Sequence, residues 1–169
     1  AEGIQKTGEA GVFVTFEESP TDIRDNIVSL GWDIAGWERE KKWRFVDASP
    51  RAEEDVLVAG SYDLGALLAR IENAVHRIGA KRVAMDSLGA IFSRFQEGTL
   101  VRSELLRIAT ALKRLGVTAV MTAERAREHG DITRYGVEEF VADNVIILRN
   151  SLEAEKRRRT LEILKFRGT

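Results

Sequence analysis

The sequence predicts an α/β fold: a mostly parallel sheet with helices on both faces and a C-terminal antiparallel hairpin. Short β-rich apolar runs alternate with helical repeats through the middle of the chain. Each helical repeat ends at a glycine: Gly31, Gly79 and Gly116. The last two apolar runs are separated only by a charged turn. Strand–helix–strand units require right-handed crossovers and bury both faces of the sheet they build. Two runs joined by a short turn pair as a hairpin, here placed at one edge of the sheet.

The elements follow in order. Val12-Phe13-Val14-Thr15-Phe16, after Gly11, reads as a buried strand. Ser19-Pro20-Thr21-Asp22 then opens a helix, because Ser19 can cap it, Pro20 suits its first turn and Asp22 completes a capping box. Ile23, Ile27 and Leu30 mark its apolar face, and Gly31 stops it. Arg44 to Asp47 is a second strand, and Ser49 to Tyr62 a polar connection. Leu64, Leu67, Leu68, Ile71, Val75 and Ile78 form one helical stripe that ends at Gly79. Arg82 to Asp86 is a third strand; Leu105, Ile108, Ala109, Leu112 and Leu115 mark a helix closed by Gly116. Val117 to Thr122, Asn144 to Leu148 and Leu161 to Lys165 complete the strands, with Glu153 to Arg159 as the charged turn of the final pair.

A length of 169 residues suits one compact domain. Lys plus Arg number 26 and Asp plus Glu 27, a net charge of −1, so charge gives no reason to expect nucleic acid or an anionic membrane as partner. Hydrophobic residues, at 44%, suffice for a core, which excludes wholesale disorder. The 31% charged residues suit a polar surface or a subunit contact rich in ion pairs. With no cysteine, disulfide scaffolds and thiolate metal sites are excluded, and the composition fits a cytoplasmic setting. No apolar run approaches the roughly 20 residues of a membrane helix, and the start, Ala1 to Lys6, has no apolar signal core. The absence of an initiator Met marks the chain as processed or a fragment.

In open α/β sheets the chemistry lies beyond the carboxyl ends of the strands. Glu17 and Glu18 end the first run, Asp86 the third, followed by Ser87, and Thr122 and Glu124 end or follow the fourth. Carboxylates at neighbouring strand ends suit a hard cation such as Mg²⁺ and the activation of a water. An apolar strand ending in Asp, Val83-Ala84-Met85-Asp86, reads as a Walker B segment. The competing reading is that these carboxylates only cap the helices that follow. Lys165 and Arg167 alternate with Phe166 and are expected on one strand face, as a phosphate-binding pair or a solvated edge. The run Lys156 to Arg159 reads as a wet turn, since no aromatics interleave it for base stacking. His76 and His129 have no metal-ligand spacing, and Trp32, Trp37 and Trp43 are expected to cover core edges. The phosphate-cradling pattern GxxxxGK[ST] occurs nowhere in the chain.

Several segments in order carry a family resemblance. Gly11 to Pro20, Gly31-Trp32-Asp33, Asp47 to Pro50, Arg82 to Ser87, Tyr135 to Val141, Val145 to Asn150 and Arg157 to Thr169 together resemble the circadian clock ATPases of the KaiC family. The resemblance covers essentially the whole chain and is closest to the first (CI) of that family's two RecA-like domains. It implies a RecA-like fold, ATP and Mg²⁺, and a homo-hexameric ring with nucleotide between subunits. Glu17 and Glu18 fall on the family's paired catalytic glutamates and Asp86 on its metal-organising Walker B aspartate. Ser29 matches a nucleotide-contacting serine. Lys165, Phe166, Arg167 and Thr169 match the segment that reaches the nucleotide across the subunit interface, with Arg167 catalytic. KaiB-like and KaiA-like clock proteins are the implied partners, with KaiB docking near the stretch matched by Glu54 to Asp63. The family's Walker A lies upstream of the matched region and a further strand beyond its end. Residues 1–169 are therefore expected to be a partial RecA-like domain, inactive alone, of a longer chain whose second domain would carry serine/threonine kinase activity. Two other functions compete: a non-catalytic assembly or partner-docking module, and a RecA/RadA-type DNA-binding recombinase core. The net charge of −1 argues against the latter.

Overall fold

The computed structural model describes residues 1–49, 64–92, 98–124, 141–153 and 155–168. They fall into two compact units: Ala1–Gln96 with Thr110–Ala123, and Glu97–Ala109 with Glu124–Thr169.

The first unit is built on a four-stranded parallel sheet in the order β2-β1-β3-β4. Its strands are β1 (Gly11–Thr15), β2 (Trp43–Asp47), β3 (Arg82–Asp86) and β4 (Thr118–Met121). Val12, Val14, Val83 and Met85 are almost wholly buried, as expected of parallel strands covered on both faces. The short helix α1 (Glu2–Thr7) precedes β1. Helix α2 (Pro20–Ile27) runs into a 3₁₀ turn (Val28–Leu30) that Gly31 closes with φ 75°. Its N-cap is Ser19, whose Oγ accepts from Asp22 N–H at 3.1 Å and donates to Asp22 Oδ2 at 2.7 Å. The N-cap read from the sequence therefore forms, with Asp22 bonded to the Ser19 hydroxyl.

Helix α3 (Ile34–Arg39) has no counterpart in the sequence reading, because it is short and only Ile34 and Gly36 of it are buried. Around it Ile4, Ile34 and Trp43 form a buried cluster packed by Trp32, Trp37, Phe13 and Phe45. The three tryptophans thus cover a core edge as expected. Helix α4 (Leu64–Ile78) buries Leu64, Leu67, Ile71, Ala74 and Val75. It carries the chain from β2 at one end of the sheet back to β3 on the far side of β1. Helix α5 (Leu88–Phe92) follows β3 directly.

Helix α6 (Gly98–Arg114) begins earlier than its leucine repeat suggests and buries Val101, Leu105, Ile108 and Leu112. In the second unit, β5 (Asn144–Glu153) and β6 (Lys156–Phe166) pair antiparallel as a separate two-stranded sheet. The antiparallel pairing is as expected but longer, and it is not hydrogen-bonded to an edge of the parallel sheet as the sequence suggested. Lys156, Arg157, Arg158 and Arg159 lie in β6, opposite Glu153, Leu152, Ser151 and Asn150, rather than in a turn. Charged side chains are tolerated in that ladder because they stand exposed. The stretch 54–63 and His129 lie outside the described residues.

Candidate functional site

The strand order fixes where a ligand can enter. From β1 the chain moves to β2 on one side, then crosses to β3 on the other. The crevice beyond the carboxyl ends of β1 and β3 is therefore the topological switch point, the usual ligand site of open parallel sheets. Thr15 of β1 is level with Asp86 of β3, so Glu17, Glu18 and Asp86 emerge at the same end of neighbouring strands. The backbones are tied there, Phe16 N–H donating to the Asp86 carbonyl at 3.2 Å.

Glu17 and Glu18 do not lie on the strand. β1 ends at Thr15, and residues 16–18 form a bend. The Thr15 hydroxyl, on a residue only 2% exposed, donates to the Glu18 carbonyl at 2.6 Å and closes that bend. Strand alternation, which would send adjacent side chains to opposite faces, therefore does not apply to this pair. Both are exposed, and no hydrogen bond or ion pair engages either carboxylate among the described residues. The helix that follows is capped by Ser19. Helix capping thus does not account for Glu17 or Glu18.

Asp86 is exposed at the end of β3, above the fully buried Met85. Its Oδ1 accepts from the Thr122 hydroxyl at 2.5 Å. Thr122 follows β4, and its backbone is fixed in both directions: its N–H donates to the Met85 carbonyl at 3.1 Å and its carbonyl accepts from Leu88 N–H at 2.9 Å. The peptide between Asp86 and Ser87 is cis. The Ser87 hydroxyl is buried without a hydrogen-bond partner among the described residues.

Asp47, at the end of β2, is already used locally: its Oδ1 accepts from Ser49 N–H at 3.0 Å and from the Ser49 hydroxyl at 2.5 Å. Below the bend, Arg24 of α2 makes a two-pronged bond to Glu38 of α3, 2.8 Å on each arm, and lies 4.9 Å from the Phe45 ring centre. The bond to Glu38 raises the Arg24 pKa further. This clamp ties α2, which starts just after the glutamates, to α3 and β2.

Ser29 is exposed on the 3₁₀ turn at the far end of α2 rather than in a regular helix. Lys165, Phe166 and Arg167 are in the second unit, and Thr169 is outside the described residues. Lys165 pairs with Val145 in the ladder. β6 ends at Phe166, and the next residue, Arg167, donates its N–H to the Asp143 carbonyl at 3.1 Å and to Asn144 Oδ1 at 3.2 Å.

The structure thus places Glu17, Glu18 and Asp86 at the ends of neighbouring strands, gives the strand-end Thr122 a specific partner in Asp86, and adds the hydroxyl of Thr15, which the sequence reading gave no role. A threonine closing an otherwise apolar run was the available signal for both. No group of three or more His, Asp or Glu side chains poised for a metal occurs among the described residues. Oxygen donors of this kind nevertheless fit Mg²⁺, which keeps several waters and binds through one or two carboxylates plus phosphates. The unpartnered Ser87 hydroxyl next to Asp86 leaves a polar group for such a ligand or its water to satisfy.

Comparison with known proteins gives a consistent family. The whole chain, residues 1–169, matches the family described as ATPase: KaiC. It is 63% identical to the circadian clock protein KaiC3 of Synechocystis sp. over 168 residues, 99% of this chain and 33% of that protein. It is 53% identical to the circadian clock oscillator protein KaiC of Synechococcus elongatus, over 99% of this chain and 32% of that protein. Identity to the KaiC of Acaryochloris marina is also 53%, with the same shares, 99% and 32%. The chain thus spans about a third of the length of the relatives it matches. No helix among the described residues is long and apolar enough to cross a membrane.

Proposed function

Since the chain belongs to the KaiC ATPase family, we propose that it is the ATP-binding and ATP-hydrolysing domain of a longer KaiC-like clock protein. The observation that carries this reading is the convergence of Glu17, Glu18 and Asp86 at the switch point of a parallel sheet. The glutamates are exposed and spared from helix capping, so they are available to a reacting water.

In this reading Asp86 holds Mg²⁺, and Glu17 orients and deprotonates the attacking water while Glu18 tunes it or takes over that role. Bound Mg²⁺ supplies charge neutralisation at the phosphate oxygens. Ser29 contacts the nucleotide. Lys165, Phe166, Arg167 and Thr169 reach the nucleotide of a neighbouring subunit in a hexameric ring, where Arg167 offsets charge on the transferred phosphoryl group. KaiB-like and KaiA-like proteins are the partners of the assembled protein, which works in the cytoplasm, and kinase activity belongs to a second domain outside this segment. The share of about a third of each relative supports placing the segment within a longer chain.

The test is a mixing experiment in the longer parent protein. Asp86→Asn should abolish Mg²⁺-dependent ATP hydrolysis with the fold intact. Arg167→Ala and Glu17→Gln rings should each be inactive, and mixed rings should recover part of the activity, because an intact Glu17 then faces a neighbour with an intact Arg167. Mixed rings that form and stay inactive would remove Arg167 from the shared site. Wild-type hydrolysis in Asp86→Asn would overturn the metal assignment, and a parent protein that binds but never hydrolyses ATP would favour a non-catalytic assembly module.

A further inference from the structure

We infer that Thr122 is a positioning residue for Asp86, holding the metal-organising carboxylate in one orientation through its hydroxyl. The inference rests on the ATPase reading above and deepens it.

Asp86 is exposed at a strand end, where an aspartate side chain is free to rotate about two bonds. A carboxylate that must present one oxygen to a cation loses affinity for every orientation it samples instead. Partners that orient a metal-binding group from behind are for this reason part of a metal site. Thr122 meets the geometric need. Its Oγ1 lies 2.5 Å from Asp86 Oδ1 and 3.4 Å from the Met85 carbonyl. An ionised carboxylate only accepts hydrogen bonds, so the Thr122 hydroxyl must donate to it. One oxygen of Asp86 is thereby engaged by the protein, leaving the other for a ligand.

The threonine is itself anchored. Its N–H donates to the Met85 carbonyl and its carbonyl accepts from Leu88 N–H, so two backbone bonds join it to the segment that flanks Asp86 on either side. β3 and β4 pair in register up to Met85 and Met121, which brings the next residues, Asp86 and Thr122, level at the sheet edge. Threonine has few χ1 rotamers, because two heavy atoms branch from Cβ. A hydroxyl on a stiff side chain, on a backbone bonded twice, is a fixed donor.

Neither packing nor capping accounts for this residue. Thr122 is exposed and follows the end of β4, so its methyl contributes little to the core. The hydroxyl is its one distinctive contribution.

The test uses the longer parent protein with Thr122→Val, Thr122→Ser and Thr122→Ala, and Asp86→Asn as control. Mn²⁺ binding to the nucleotide complex is read directly by electron paramagnetic resonance, alongside kcat, KM for Mg-ATP and the thermal midpoint. Loss of an outer partner of a metal ligand typically costs about 10–100-fold in metal affinity or activity. Thr122→Val and Thr122→Ala should weaken Mn²⁺ by that factor and lower kcat, with KM for nucleotide and the thermal midpoint little changed. Thr122→Ser, which keeps the donor, should restore Mn²⁺ affinity to within about threefold of wild type, since its looser side chain forfeits only part of the orientation. Thr122→Val and Thr122→Ala binding Mn²⁺ like wild type would overturn the inference, as would Thr122→Ser failing along with them. If Asp86→Asn also binds Mn²⁺ normally, the metal reading of Asp86 falls first. If Asp86→Asn fails while Thr122→Val does not, only the role of Thr122 is lost.

Discussion

The bend that presents Glu17 and Glu18 hangs on one hydroxyl, and that can be tested. Thr15 is 2% exposed, and its Oγ1 donates to the Glu18 carbonyl at 2.6 Å. Thr15→Val keeps the branched shape and replaces the hydroxyl with a methyl. It removes one hydrogen bond, worth about 0.5–1.5 kcal/mol net. Because the bond is only partly buried, water can reach the vacated carbonyl, so the expected destabilisation is about 1 kcal/mol rather than the upper end of the range for a fully orphaned acceptor. Thr15→Ser keeps the donor and deletes a buried methyl, at about 0.8 kcal/mol. The two variants are therefore closely matched in stability and differ in whether the bend is closed. A misplacement of about 1 Å can cost ~10²-fold in rate. Thr15→Val should accordingly lose about 10–100-fold in ATP turnover by the longer parent protein, while Thr15→Ser stays within a few-fold of wild type. Urea unfolding measures the first quantity, and steady-state hydrolysis at saturating Mg-ATP the second. Thr15→Val turning over at the wild-type rate despite its lost stability would refute the argument. Equal loss in both variants would assign the effect to packing.

Two further outcomes follow from the same geometry. Glu17→Gln and Glu18→Gln should both bind nucleotide, and whichever is the general base should lose ~10²–10⁴ in rate; single-turnover hydrolysis distinguishes them, and wild-type rates in both would end the carboxylate mechanism. Arg82 donates to Glu9 at 2.8 Å, and this bond holds the Glu9 carboxyl below its ordinary value. A depressed folded-state pKa contributes stability above the unfolded value and loses it as pH falls through the folded one. The stability difference between wild type and Glu9→Gln should therefore be present at neutral pH and vanish in acid; denaturation midpoints that differ equally at both ends would rule out the charge.

The fold was legible because its strands and helices differ in period. Ser19, Pro20 and Asp22 announce α2 through the chemistry of a helix start, and they form the cap they suggest. The stripe from Leu64 to Ile78 has little alternative to a helix packed on a sheet. Helices α1, α3 and α5 were not legible, being six, six and five residues long, too short for a periodic stripe. They are held by tertiary packing rather than by pattern, as the aromatic cluster around Ile34 illustrates. The carboxylates of the site were visible because aspartate or glutamate at the end of an apolar run is conspicuous. Thr15 was not, since threonine is also an ordinary strand residue, and Thr122 was visible only as a strand end; the pairing of β1, β3 and β4 shows what each hydroxyl meets.

The end of β6 shows where period-two reading fails. Strand alternation holds only while the ladder is regular. Ile146 pairs with Ile163, yet the adjacent Val145 pairs with Lys165, so Leu164 is an extra residue and the register shifts. A bulge of this kind inverts the alternation beyond it. Lys165 consequently stands opposite Val145, on the face of the buried Ile147, while Phe166 opposite Asn144 joins the exposed face of Ile146 and Ile163. Neither Gly nor Pro marks the position, so the sequence carries no sign of it. Arg167 follows directly on this strand, and its exposure favours the proposed role. Its side chain is 61% exposed and meets the Asp143 carboxylate at 3.8 Å. An exposed pair at that distance is worth at most about 1 kcal/mol. A phosphate dianion offers a guanidinium two parallel, charge-assisted hydrogen bonds, roughly twice as strong as neutral ones. The contact with Asp143 is therefore one that a neighbour's phosphate can displace, which is what a cation acting across a subunit boundary requires.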